Sequence, residues 1–261
     1  MLHHSFRLAA VAAAILVLPA MDWAPTTTKY RIDQTMSQEI DATAAGATKQ
    51  TISFTTSSFV TVTLADSAGG KLMRVIVDSL RGDSATPIPS AVLDSARGAE
   101  FRGFLEKSGK PLDLKPVTGT AAAAQIQGLL SEFFPWIRTG VKVGDSWTDT
   151  TAKVNGVGAD SVTVRRVSAY KATGDQSQGK RKAVLITEDF ASSVAGTQPT
   201  PSGPAKIEGN GRGKGSYHVG PDGRYLGGNW KHQSTLKISG AFATEPLPVT
   251  ITQTTKVTAL K

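Results

Sequence analysis

The sequence Gly209-Asn210-Gly211-Arg212-Gly213-Lys214-Gly215 alternates glycine with a larger residue. Side chains of a β-strand point to opposite faces in turn, so the four glycines share one face. A face without side chains lets a strand bend sharply, or lets another group lie against bare backbone. The spacing does not fit a dinucleotide-binding loop, which also needs a helix after it. The stripe therefore predicts a strongly curved sheet, and leaves open whether the space beside Gly211 and Gly213 holds a ligand.

Predicted strands extend on both sides of this glycine stripe. The segment 26–41 alternates in the same way and places one set of side chains on a single face: Tyr30, Ile32, Gln34, Met36, Gln38 and Ile40. Further runs rich in Val, Ile, Phe and Thr predict strands at 49–56, 59–66, 72–81, 100–105, 111–115, 141–154, 160–172, 182–194, 205–219, 224–239 and 249–260. Turn-forming residues at 107–110 and 221–223 and a loop at 196–204 join some of them. Such short connections require antiparallel pairing.

One segment, 119–134, predicts a helix within this β-rich chain. Thr120 can cap it, Pro135 ends it, and the alanines at 121–124 are strong helix formers. Its apolar side chains fall on one broad face: Ile126, Leu129, Leu130, Phe133 and Phe134. A shorter helix is predicted at 90–96. We expect the longer helix to pack on the concave face of the curved sheet.

The first residues predict a secretory signal peptide. Arg7 precedes an apolar run at 8–18, which is shorter than the about 20 residues that a transmembrane helix needs. Removal of 1–24, or cleavage after Ala20, would leave a single β-rich domain at 25–261 with no transmembrane helix. The sequence has no cysteine, so it lacks disulfides and the acylated cysteine of a bacterial lipoprotein. We expect a periplasmic or secreted protein, unless the leader stays as an anchor.

The large aromatic side chains lie near the predicted helix and in the strands after it. The candidate ligand-binding residues are these aromatics and two glycines of the stripe: Phe133, Phe134, Trp136, Trp147, Gly211, Gly213 and Trp230. Such aromatics either pack in the core or line a cavity between the helix and the sheet.

No catalytic motif is recognisable in the sequence. The histidines outside the leader are His218 and His232, on strands that flank a predicted turn, where they could face each other beside Asp222 or Glu208. Catalytic zinc takes three protein ligands, and no third is signalled. Ser216 lies near His218, but serine chemistry needs a positioned base and no nucleophile motif surrounds this serine. We expect no enzyme activity, no metal and no cofactor, with a hydrolase as a distant alternative.

The formal net charge of +8 points to anionic partners. The basic residues are scattered, and the tight clusters at 165–166 and 180–182 do not interleave with aromatics as in proteins that bind single strands. We therefore expect no nucleic acid, and we expect a lipid or other apolar ligand, an envelope protein or an anionic surface as partner.

The order of elements resembles the half-barrel proteins of the bacterial envelope, which include the periplasmic lipoprotein carrier and its outer-membrane receptor. The segment Val141-Lys142-Val143-Gly144-Asp145-Ser146-Trp147 and the later turn at 221–226 are similar to uncharacterised exported β-rich families. The resemblance implies a curved sheet that wraps around helices and holds acyl chains in a cavity. This chain is longer than the carrier, has fewer helical residues and lacks the receptor's acylated cysteine, so no residue role transfers.

The predicted fold is mainly β, a strongly curved antiparallel sheet or half-barrel with the 119–134 helix on its concave face. The expected function is non-enzymatic binding of a hydrophobic or amphiphilic ligand between sheet and helix. The alternative is a cell-envelope protein–protein interaction module without a ligand cavity.

Overall fold

A computed structural model describes residues 26–43, 46–112, 114–118, 126–127, 130, 133–158, 160–178, 181–200, 203–240 and 243–260. The strands are β1 (Thr26–Ile40), β2 (Gln50–Ser67), β3 (Gly70–Gly82), β4 (Glu100–Glu106), β5 (Lys115–Pro116), β6 (Ser146–Val157), β7 (Asp160–Gln178), β8 (Arg181–Thr200), β9 (Gly203–Val219), β10 (Tyr225–Gly240) and β11 (Ala243–Ala259). A short helix, α1 (Ser90–Ser95), lies between β3 and β4.

All eleven strands form one antiparallel sheet, which confirms the predicted fold class. The order across the sheet is β5-β4-β3-β2-β1-β11-β10-β9-β8-β7-β6. The first and last strands pair in the middle, from Tyr30 opposite Ala259 to Ile40 opposite Val249. The strands that precede and follow the long β5–β6 connection therefore form the two edges of the sheet.

The two edges of the sheet come close together because the sheet is strongly curved. Nine strand spacings separate β4 from β6, which is about 43 Å in a flat sheet. The Lys110 side chain, in the hairpin after β4, nevertheless lies 2.7 Å from a carboxylate oxygen of Asp149 on β6. The sheet is thus a half-barrel that is not closed by strand pairing.

The core lies on the concave face. Alternate residues of the central strands point inward, so Tyr30, Ile32, Val60 and Val257 are almost fully buried. The largest fully buried side chains come from strands and connections alike: Tyr217, Tyr225, Phe101, Phe133, Ile32, Met73, Leu105, Ile126, Leu130 and Ile137. The connection between the two edge strands therefore fills the concave side with apolar side chains.

Several strands are longer than predicted. The predicted pair at 49–56 and 59–66 is one continuous strand, because Ser58 is buried opposite Ile32 and does not break the pairing. The predicted loop at 196–204 is wrong, since β8 and β9 stay paired up to Thr200 opposite Gly203. Side-chain composition alone gave no sign of this pairing.

The predicted helix at 119–134 is described only in part. Ile126, Gln127 and Leu130 have helical backbone, and the first and last of these are buried. Phe133 and Phe134 are buried but lie outside a helix. The cap at 120, the alanines at 121–124, Leu129 and the leader at 1–24 lie outside the described residues.

No helix in the described part of the chain is long and apolar enough to cross a membrane.

Candidate functional site

The glycine stripe of β9 makes room for large side chains of its neighbours. A Cβ on Gly213 would overlap the Phe190 ring, and one on Gly215 would overlap the Trp230 indole. A Cβ on Gly211 would lie 2.5 Å from His232 Nε2. The predicted space beside Gly211 and Gly213 is therefore filled by protein side chains, and these two glycines do not line the cavity between the sheet edges.

A cavity of about 410 Å³ on the concave face lies where the two edges of the half-barrel approach each other. Its apolar wall comes from β3, from the chain after β4 and from the β5–β6 connection: Met73, Pro111, Leu112, Leu114, Leu130, Phe134, Pro135 and Trp136. Its opposite wall is polar and charged and comes from β6, β7 and β8: Asp149, Thr151, Lys153, Arg166, Ser168 and Glu188. The cavity is therefore amphipathic, and its volume is within the range of small-molecule sites.

Three of the predicted aromatic residues line this cavity. Phe134, Trp136 and Trp230 contribute to its wall. Phe133 instead packs edge-on against Tyr30 in the core, with ring centroids 6.2 Å apart. Trp147 is buried against Tyr170, its ring stacked at 5.2 Å, outside the cavity lining. These last two residues pack in the core and do not line this cavity.

The charged wall centres on Glu188, which is only 3% exposed. Arg166 donates to one carboxylate oxygen at 2.7 Å, and the Trp230 indole N–H donates to the other at 3.1 Å. The Arg166 guanidinium also lies over the Phe190 ring, 3.6 Å from its centroid. Charge-assisted bonds of this kind hold both partners in a fixed geometry. This group fixes the Trp230 ring and the arginine at the cavity wall.

Residue-pattern reasoning missed this ion pair. Arg166 and Glu188 each interrupt a run of alternate inward residues, between Val164 and Ser168 and between Ile186 and Phe190. The signal in the sequence is a charged residue at a strand position that points inward, because charged residues are rarely buried without a partner. Their pairing across β7 and β8 depends on register, which a single strand does not reveal.

A second ion pair crosses the gap between the sheet edges. Lys110 contacts Asp149, and its ammonium lies 5.5 Å from the centroid of the Trp136 ring. The Trp136 indole N–H donates to the Ser108 carbonyl, which ties the β5–β6 connection to the same hairpin. The cavity mouth is thus held by contacts between two edges that share no backbone pairing.

A cluster of hydroxyl and imidazole groups lies next to the Glu188 group. His232 Nε2 is 3.0 Å from Ser234 Oγ and 3.3 Å from Ser192 Oγ, and the two serines flank Gly211 in the register. The Phe190 ring packs beside the imidazole at 5.3 Å. The sequence places Ser216 near His218, whereas the serines that contact His232 come from β8 and β10.

The two histidines do not face each other. His218 pairs with Gly227 and His232 with Gly213, so they are five positions apart in register and on opposite faces of the sheet. Burial lowers the pKa of His218. Within the described ranges no group of three or more metal-ligating side chains converges.

All four tyrosines are buried on the concave side. Burial raises the pKa of Tyr30, Tyr170, Tyr217 and Tyr225 above that of a free phenol. Tyr30 donates to the Tyr225 carbonyl and Tyr217 donates to the Trp136 carbonyl at 2.6 Å. The second bond joins β9 to the β5–β6 connection, so it supports the wall that carries Trp136.

Comparison with known proteins adds no family. No protein-family model and no curated protein matches this sequence. The cavity and its chemistry therefore carry the functional interpretation.

Proposed function

We propose that this chain is an exported, non-enzymatic protein that binds an amphiphilic ligand in the cavity between its sheet edges. The observation that carries the proposal is the division of one cavity into an apolar wall and a charged wall. A purely apolar ligand would displace water from the charged wall without replacing the hydrogen bonds of that water, which is unfavourable. A ligand with an apolar tail and a polar head suits both walls.

The apolar tail would lie along the wall formed by Leu112, Leu114, Leu130 and Phe134. Leu112 is 44% exposed and Leu114 and Leu130 are buried, so the wall runs from solvent toward the core. Transfer of each methylene from water to such a wall is favourable by about 0.8 kcal/mol. Tail length should therefore have a large effect on affinity.

The polar head would lie against the wall that holds Arg166 and Glu188. This ion pair is already in place through Trp230 and Phe190, so ligand binding need not order it. Preorganised groups improve affinity because less conformational entropy is lost on binding. A head group that both donates and accepts hydrogen bonds fits a wall that carries both charges.

Export is part of the proposal, and the apolar run at 8–18 after Arg7 supports it. An exported binder of amphiphiles in the periplasm or outside the cell would meet lipids and lipid-like molecules there.

Native mass spectrometry of the gently purified full chain is the direct test. The expected result is a co-purified mass that is lost on delipidation and is replaced by a fluorescent fatty acid. Leu112→Asp should abolish uptake because it places a charge on the tail wall. Val143→Asp is the matched control, since Val143 is also an exposed aliphatic residue but lies outside the cavity lining. A clean apo mass together with no uptake would overturn the proposal.

A hydrolase is a second candidate because of one observation, the 3.0 Å contact between Ser234 Oγ and His232 Nε2. A serine with a histidine base can act as a nucleophile if the histidine is oriented and the developing oxyanion is bound. A fluorophosphonate probe distinguishes the candidates. Covalent labelling of Ser192 or Ser234 that is lost in His232→Ala would establish hydrolase chemistry, and the binding proposal expects no labelling.

A further inference from the structure

The convex face of the sheet carries an uneven distribution of charge. On the outward positions of β1–β4 the structure places five cations, Lys29, Arg31, Arg74, Arg81 and Arg102, and five anions, Asp33, Glu39, Asp78, Glu100 and Glu106. Several of these pair, such as Arg31 with Asp33 and Arg74 with Glu100. This half of the convex face is therefore electrically balanced.

The outward positions of β7–β11 are strongly basic. Six exposed cations form what we call the basic face: Arg165, Lys171, Arg212, Lys214, Lys231 and Lys256. Among the described side chains of this region, Asp189 is the carboxylate beside them, and it contacts Lys214 at 3.1 Å. Two further lysines, Lys206 and Lys237, flank Glu208 toward the far end of the strands.

The centre of the basic face places like charges directly opposite each other. Lys214 on β9 and Lys231 on β10 are direct cross-strand partners. Such like-charge pairs destabilise a sheet. In the balanced half Arg74 lies opposite Arg102 in the same way, but there both arginines contact Glu100, whereas Asp189 contacts only Lys214 of this pair. Between these strands and β7, a shallow groove has a floor of Val167, Ala169 and Ala191 and a cationic rim.

We propose that the basic face docks the protein on an anionic lipid bilayer. The cations are spread over an area and not along a line. Across the strands the basic face spans the four spacings from β7 to β11, about 19 Å, and along the strands it spans about 20 Å from Arg165 to Lys171. A linear polyanion needs a narrow track of cations, whereas a bilayer presents a broad sheet of phosphates. The described outward positions here also carry no aromatic side chains on which unstacked bases would lie.

Sedimentation with vesicles tests this docking, and it is independent of ligand binding in the cavity. The full chain should bind vesicles of equal parts phosphatidylglycerol and phosphatidylcholine, and not vesicles of phosphatidylcholine alone. Binding should weaken sharply between about 0.05 M and about 0.5 M NaCl, because salt screens surface charges. The apolar run at 8–18 is the same in every variant, so it cannot produce a difference between the variants compared below.

A triple substitution at the centre of the basic face gives the decisive comparison. Each cation near an anionic bilayer strengthens binding about fivefold, so Arg212→Gln/Lys214→Gln/Lys231→Gln should weaken it by on the order of 100-fold. The control Arg31→Gln/Arg74→Gln/Arg102→Gln removes the same charge from the balanced half and should bind almost as well as the wild type. Equal loss in both triples, no loss in either, or binding to duplex DNA at the same salt that matches vesicle binding would overturn the proposal.

Discussion

The ion pair between Arg166 and Glu188 allows a quantitative test of the charged cavity wall. Glu188 is 3% exposed and the Arg166 side chain 21% exposed, so the pair is largely but not fully removed from water. Removing one partner of a buried pair costs about 3–5 kcal/mol, because the other charge remains buried and unpaired. The partial exposure of Arg166 places Glu188→Leu near the lower limit, at about 3 kcal/mol.

The double variant should be more stable than either single variant. Arg166→Met/Glu188→Leu leaves no unpaired charge. The Trp230 indole N–H loses its acceptor, and because Trp230 is only partly buried this loss falls in the lower part of the about 1–3 kcal/mol typical of an unpaired buried donor. We therefore expect Glu188→Leu and Arg166→Met to cost about 3 kcal/mol each, and the double variant about 1–2 kcal/mol. Additive behaviour would give about 6 kcal/mol.

Urea unfolding at pH 7, followed by far-ultraviolet circular dichroism, measures these free energies. Circular dichroism is preferable to tryptophan fluorescence because Trp230 contacts the substituted site. Thr187→Ala, at the neighbouring and more exposed position of β8, is the control and should change stability by less than about 1 kcal/mol. A double variant that loses the sum of the two single losses would refute the pair as a coupled unit.

Three further predictions concern the packing and the edges of the half-barrel. Gly213→Ala should lower the free energy of unfolding by about 1–3 kcal/mol because its Cβ meets the Phe190 ring, whereas Asn210→Ala on the exposed side of the same strand should have little effect in the same urea titration. A spectrophotometric titration at alkaline pH should show no tyrosinate near pH 10, because folding raises the pKa of all four tyrosines. The stability that their burial gives is complete below pH 10 and falls as the pH rises above it, so ionisation should accompany unfolding. A reversible ionisation step near pH 10 in the folded protein would contradict this. Asp149→Asn should cost about 1 kcal/mol and speed amide hydrogen exchange at Lys107 and Gly109, since it removes the Lys110 contact that holds the hairpin to β6; unchanged exchange there would show that this contact does not hold the edges.

The sequence predicts the strands well because alternation is a local property. The alternating side chains of 26–41 place Tyr30 and Ile32 inward, and the structure buries both in β1. The glycine stripe correctly predicts close approach of another group, but not which group. Phe190 and Trp230 lie against it because of the register of β8 and β10, which depends on pairing over long sequence distances.

The cavity was harder to predict because its two walls are distant in sequence. Phe134, Trp136 and Trp230 were predicted as ligand residues and do line it, whereas Phe133 and Trp147 are core residues. Aromatic residues in the cavity wall and in the core have the same pattern of neighbours in the sequence. The distinction depends on where the edges of the half-barrel meet, and the chain positions of Lys110 and Asp149 alone do not reveal that contact.

In the proposed complex, an amphiphile lies in the cavity with its tail along the apolar wall that includes Trp136 and its head toward the charged wall, where Trp230 contacts Glu188. Quenching of tryptophan fluorescence by a fatty acid brominated along its chain tests this most directly, because bromine quenches at close contact. We predict saturable quenching of the full chain that is lost in Trp136→Phe/Trp230→Phe, which keeps Trp23 and keeps Trp147, a residue outside the cavity lining. Quenching that does not saturate, or that is equally strong in this double variant, would contradict binding in the cavity.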